Sequence, residues 1–291
     1  MYKLLAEDFA ASGANPLAAK RPHHPIRAKS VIFLFMGGGP SQVDLFDPKP
    51  KLADYKQIPI QLPRITRDAT PDCRPSPFRF RQHGEAGIWI SELLPHLTHC
   101  ADDICVIRSM CCDQIEHSGA IRQLTTGDGV LPRPSVGAWT LYGLGSETDS
   151  LPGFVSIGSQ TNLPGKPTYG SSFLPTAFEG TSITDVNRPI DNLAMPVPKE
   201  IQFARLAAIR RISELHRRNR QHDRRLDARI AAYELAFRMQ AAVPELTDLS
   251  RESSATLSLY GEDVHKPGTY AANCLLARRL VERGVRFVQL F

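Results

Sequence analysis

The last stretch of the chain, TYAANCLLARRLVERGVRFVQLF at residues 269–291, constrains the fold more than any other. It reads as an amphipathic helix, a stop at Gly284, and an apolar strand reached after one tight turn. A helix handing over so directly to a strand is half of a βαβ unit, since parallel strands need a crossover that a helix usually supplies. Residues 30–36, SVIFLFM, form a short apolar run ended by glycine, which predicts a strand buried on both faces of a parallel sheet. LPGFVSIG at residues 151–158 predicts another buried strand. Strands that alternate with helices and carry unalternating apolar runs predict an α/β fold with a doubly wound, mostly parallel sheet.

The remaining segments fit around that sheet. Residues 1–29 read as a tail and a Pro/Lys/His linker, in which His23 and His24 form a solvated turn, and 30–291 as one α/β domain. Prolines and arginines from Asp47 to Glu85 predict a long loop excursion, and 159–198 a second one. GIWISELLPHLTHCADDICVIRSM predicts a strand, a helix over about 92–101 and a strand over 104–108. HSGAIRQLTTG predicts a helix starting at Glu116 or His117 and closed by Gly127. From Pro198 to about Ala242 the pattern is a long helical segment, with Leu226, Ile230, Tyr233 and Phe237 on one face. The final strand stops on apolar residues with nothing polar after it, and so reads as the end of a fragment.

Charge and cysteine usage narrow the function classes. The formal charge is +5, yet nine arginines between Arg205 and Arg229 face three acids there, a local balance of +6, so the remainder is near neutral. Clustered arginines are the phosphate-contacting half of a nucleic-acid site, but no aromatic residue lies between Phe203 and Tyr233 to stack a base. The reading is a solvated helix face, with no nucleic-acid partner. No run of eighteen apolar residues exists to span a membrane, and the N-terminus lacks the basic start and apolar core of an export signal. The six cysteines make no CxxC pair and read as scattered thiols with at most one bridge.

Two clusters carry chemistry. Behind the first strand, Gly37, Gly38 and Gly39 would let backbone N–H groups approach an anion, because ligands in open parallel sheets sit beyond the carboxyl ends of the strands. Ser41 joins that anion site, and Asp44 and Asp47 are oxygen ligands suited to a hard divalent cation. The plainer alternative is a glycine turn with Ser41 or Asp44 capping a short helix and Asp47 opening a turn before Pro48. In the second cluster, CCDQIEHSGAIRQLTTG, a strand ending near Met110 and a helix beginning near His117 would put Asp113, His117 and Ser118 at a helix N-terminus, which favours anions. There Ser118 or Asp113 could equally be a helix cap.

The blocks VIFLFMGGGPSQVDLFDPKP, GIWISELLPHL, DDICVIRSM, RPSVGAWTLYGLGSE, LPGFV, LDARIAAYELAFRMQ and CLLARRLVERGVRFVQLF together resemble the DUF1501 proteins, bacterial sulfatase-like members of the alkaline phosphatase superfamily. The resemblance runs from about Asn15 to Phe291. It implies an α/β sandwich of the alkaline phosphatase/sulfatase type, a divalent metal cofactor (zinc, calcium or magnesium) and an anionic sulfate or phosphate ester as substrate. It also implies a periplasmic or secreted location and a second half beyond residue 291. In sulfatases the nucleophile region reads CxPSRxxLLTG; setting Gly127 on its last glycine puts His117 at the cysteine and Ser118 beside it. On this resemblance His117 and Ser118 are the catalytic candidates, and Asp44, Asp47 and Asp113 the metal candidates. Cys111 and Cys112 lie upstream of the cysteine position, and glycine replaces the aspartate that follows the superfamily's first strand. The alternative is a non-catalytic secreted binding or scaffold protein on the same fold.

Overall fold

A computed structural model describes residues 16–55, 74–158, 165–183 and 245–291, together with Pro198 and scattered positions between 201 and 239. Its centre is a pair of parallel strands, β4 (Phe154–Ile157) and β6 (Phe287–Leu290), in register Phe154↔Phe287 through Ile157↔Leu290. Every residue of both is buried. β1 (Val31–Leu34) adds to the outer side of β6 and β5 (Thr181–Ile183) to the outer side of β4, giving the order β1-β6-β4-β5 with all pairings parallel.

Strand alternation explains why the central runs are apolar throughout. Val155, Ile157, Val288 and Leu290 enter one core with Leu276, Ala277 and Leu280 of α5 (Tyr270–Glu282). Phe154 and Phe287 point into a second core with Ala138 and Leu141 of α3 (Val136–Leu144), and with Phe178. The rings of Phe154 and Phe287 meet edge to face, 5.4 Å between centroids. Both faces of the sheet are therefore covered, which is the layering expected from the sequence. Gln289 and Ser156 are the buried polar exceptions: Gln289 Nε2 donates to Ser156 Oγ at 3.0 Å and to the Thr168 carbonyl at 3.1 Å.

α5 is capped by Thr269, whose hydroxyl accepts from the Ala272 N–H at 3.3 Å, and the chain turns at Gly284, φ 88°, before β6. α4 (Ser254–Tyr260) precedes it, capped by Ser253. Arg286 is anchored beside β6 by Nε donating to the Gly145 carbonyl at 2.8 Å and by an ion pair to Glu147.

The chain divides into two compact units, 1–35 with 112–291 and, separately, 36–111. The sheet belongs to the larger. The smaller holds a one-turn helix α1 (Gln42–Leu45) and an antiparallel hairpin, β2 (Phe80–His83) with β3 (Ile88–Ser91), in register Phe80↔Ser91 through His83↔Ile88. The hairpin turn is seated on Asp102, whose carboxylate accepts the Ala86 N–H at 3.0 Å.

Several expectations are corrected. β1 forms, but Val31, Ile32 and Leu34 are 44%, 37% and 53% exposed, because β1 is the sheet's edge among the described residues rather than a strand buried on both faces. The strand at 88–91 pairs in the hairpin and not in the parallel sheet. In place of a helix over 92–101 there are 3₁₀ turns over Leu97–Asp103, broken at Cys100 with φ −111°. Pro95 supplies no N–H, Thr98 Oγ1 donates to its carbonyl at 2.6 Å, and Asp102 is engaged by the hairpin turn, all of which work against α-helical pairing. Residues 104–108 form no strand, since no described strand pairs with them, and none ends near Met110. β2 falls inside a stretch expected to be loop, and β5 inside the other.

Of the 198–242 segment, the described positions such as Arg205, Ile209 and Arg211 are helical. The face of Leu226, Ile230, Tyr233 and Phe237 lies outside the described residues, as does Cys73. Cys100, Cys105, Cys111 and Cys112 are exposed thiols, and Cys274 is half-buried. No helix among the described residues is long and apolar enough to cross a membrane.

Candidate functional site

The first cluster lies in the smaller unit. Gly37, Gly38 and Gly39 follow β1 by chain, are exposed, and leave their backbone accessible: a Cβ built on Gly37 or Gly38 would meet nothing within 4 Å. Space does not demand glycine there, but conformation does at Gly38, whose φ is 86°. Ser41 occupies the N-cap position of α1 without making a side-chain cap hydrogen bond, so its hydroxyl is not committed to the helix. Asp44, in the first turn of α1, is half-buried and makes no ion pair with a described residue. Asp47 is committed: Lys49 Nζ sits 2.8 Å from one carboxylate oxygen and Arg108 Nε 4.0 Å from the other.

The second cluster lies in the larger unit, at the start of α2 (His117–Thr126), which begins and ends where the sequence predicts. Gly127 closes it in the left-handed region, φ 81°, with its N–H donating to the Gln123 carbonyl at 2.8 Å. His117 is exposed and Ser118 half-buried. Neither Ser118 nor Asp113 caps the helix. Glu116 does, its two carboxylate oxygens accepting from the Ser118 N–H at 2.7 Å and the Gly119 N–H at 3.0 Å. Those N–H bonds, Ser118 first and Gly119 second, hold the Glu116 carboxyl below its ordinary value, with the Ser118 hydroxyl and the charge of His117 adding less. The positive end of this helix thus already holds an anion supplied by the chain itself.

Asp113 is drawn into a clamp on α2. Its Oδ2 accepts from Gln123 Nε2 at 3.1 Å, while its own N–H and the Cys112 thiol donate to Gln123 Oε1 at 3.2 and 3.1 Å. The Gln114 side chain fills the space that a Cβ would need at Gly119 and Gly129, its nearest atoms lying 2.8 and 2.5 Å from those positions. These contacts fix the corner ahead of the helix, next to the exposed His117 and the half-buried Ser118.

The implied metal can be tested against these groups. Asp44, Asp47 and Asp113 are all carboxylates, a donor set suited to calcium or magnesium rather than to a soft ion. Asp47 is held by two cations and Asp113 by Gln123, and no three His, Cys, Asp or Glu side chains converge among the described residues.

Comparison with protein families matches residues 28–291 to "Protein of unknown function (DUF1501)". The chain belongs to the DUF1501 family. Comparisons with curated proteins and with solved structures gave no match. For this DUF1501 chain, sequence reasoning passed over Glu116 and Gln123, the two residues that organise the second cluster. Glu116 stands one residue before the helix start, where Ser, Thr, Asp or Asn is the usual cap. An acid in that place is itself a signal, since the helix dipole favours a negative charge there.

Proposed function

We propose that this chain is a sulfatase-like member of the alkaline phosphatase superfamily, a metal-dependent hydrolase of sulfate or phosphate esters working in the periplasm or outside the cell. The observation that carries the reading is the exposed His117 beside the half-buried Ser118 at the start of α2, after a corner held by Gln123. Separately, the open glycine turn after β1 offers backbone N–H groups to an anion. In this reading the His117 imidazole or the Ser118 hydroxyl attacks sulfur or phosphorus, the ester oxygen departs with the bonding pair, and water later releases the anion. Glu116 already occupies the Ser118 and Gly119 N–H groups, so the ester anion is not held by those two donors.

The same contacts favour a second reading, a non-catalytic secreted scaffold. Glu116 on the helix start, Lys49 and Arg108 on Asp47, and Gln123 on Asp113 spend three acids on structure. Hydrolysis of 4-nitrophenyl sulfate and 4-nitrophenyl phosphate by the full-length protein, with and without a chelator, separates the two. Catalysis predicts turnover that falls roughly 100-fold or more in His117→Ala or Ser118→Ala and falls with chelation. Undiminished turnover in both variants overturns the role assignment. No turnover, with no bound zinc, calcium or magnesium by elemental analysis, favours the scaffold.

A further inference from the structure

A cavity of about 280 Å³ lies against α5 in the larger unit, remote in chain position from both clusters and independent of the hydrolase reading. Leu246, Val264, Leu275 and Leu276 give it buried apolar walls, and the exposed His265 lies at its rim. The charged group in its lining is Arg279, whose side chain is 3% exposed. Arg279 Nη2 donates to the Glu245 carbonyl at 2.6 Å, but among the described residues neither Nε nor Nη1 has a hydrogen-bond acceptor. Glu252 is the nearest counter-charge, 3.4 Å from Nη1, yet it bonds more closely to Arg278 at 2.5 Å. A buried guanidinium with unused donors is costly, and it is satisfied by an acceptor of opposite charge.

We infer that this cavity binds a monocarboxylate with a short apolar tail, its head on the Arg279 guanidinium and its tail against Leu246, Val264 and Leu275. The apolar walls call for the tail, since burying it removes hydrocarbon from water. Glu252, beside the guanidinium, repels a second negative charge and so selects a monoanion over a phosphate or sulfate dianion. At ~30 Å³ per liquid water the space holds roughly nine water-sized groups, the bulk of octanoate.

Titration calorimetry of the full-length protein with sodium octanoate and with octan-1-ol tests this. Saturable one-site binding of octanoate is expected, with octan-1-ol at least about tenfold weaker because it cannot pair with the guanidinium. Arg279→Gln is expected to weaken octanoate by a similar factor and to leave octan-1-ol unchanged. Ala272→Met, which fills the cavity from the same helix and keeps the charge, is expected to abolish both. Equal binding of acid and alcohol to the wild type, octanoate binding retained in Ala272→Met, or no octanoate binding at all would overturn the inference. If Arg279→Gln does not fold, the wild-type acid-to-alcohol ratio and Ala272→Met decide it. None of these outcomes bears on aryl ester turnover, so this inference and the hydrolase proposal fail separately.

Discussion

Leu34 of β1 and Leu290 of β6 are neighbours in the same parallel ladder, yet Leu34 is 53% exposed and Leu290 is not exposed at all. The two strands have the same length and closely similar apolar character. What separates them is position: among the described residues β6 has a strand on each side and core on both faces, while β1 has β6 on one side only. An unalternating apolar run specifies a strand, and its neighbours decide how much of the hydrophobic effect that strand contributes.

The comparison breaks first at Phe154, which stacks edge to face on Phe287 and is fully buried. Phe154→Ala should lower unfolding free energy by about 3–5 kcal/mol, read by urea denaturation. A loss near 1 kcal/mol would mean that the centre of the sheet is no better packed than its edge.

Overpacking the same ring from α3 should cost less. A Cβ at Gly137 would come within 2.5 Å of the Phe154 ring atoms, so Gly137→Ala should destabilise by about 1–3 kcal/mol as ring and helix shift apart. Combining it with Phe154→Leu should give less than the sum of the two losses, because the smaller side chain makes room for the methyl. Additive losses would show that Gly137 is required for the helix itself and not for its approach to the sheet.

The layering of the fold was legible because its signals are local and repeated. Gly284 between a helix and the VRFVQLF run, Gly127 after HSGAIRQLTT and the FVSI run each fix an element without help from distant residues. The exposure of β1, the hairpin over Phe80–Ser91 and the failure of 104–108 to pair were not legible, since each depends on which strand lies alongside. The β2 run FRQH shows no alternation of burial, and its arginine and the prolines before it pointed to loop. In the candidate site, the helix start at His117 could be read, whereas the competition for its N–H groups could not. Ser118 and Asp113 are the caps expected by type, and only the geometry gives the cap to Glu116.

That cap provides a pH-dependent test of the α2 corner. The Glu116 carboxyl is held below its ordinary value of 4.5 in the folded state, so its stabilisation is fully present above pH 4.5 and is lost as pH falls through the folded-state value. Glu116→Gln should therefore lower the melting temperature modestly at neutral pH, by less than either change at the sheet centre. The gap to wild type should close as the solution is acidified below that range. A gap that persists undiminished at low pH would mean that the carboxylate's charge is not what steadies the helix start.

The smallest effect is expected at Leu34, and it decides how the opening contrast is understood. With half its surface in water, Leu34 loses little on truncation, and Leu34→Ala should change unfolding free energy by about 0.5 kcal/mol or less. Leu290→Ala in the next strand, at the paired position, should cost about 2–5 kcal/mol. The pair serves as its own control, because side-chain type, secondary structure and sheet face are matched while exposure differs. If the two losses were equal, something would have to cover β1 in solution, and the exposed Val31, Ile32 and Leu34 would be an interface. A self-association that raises stability with protein concentration in wild type, and not in Leu34→Asp, would identify a second copy as the cover.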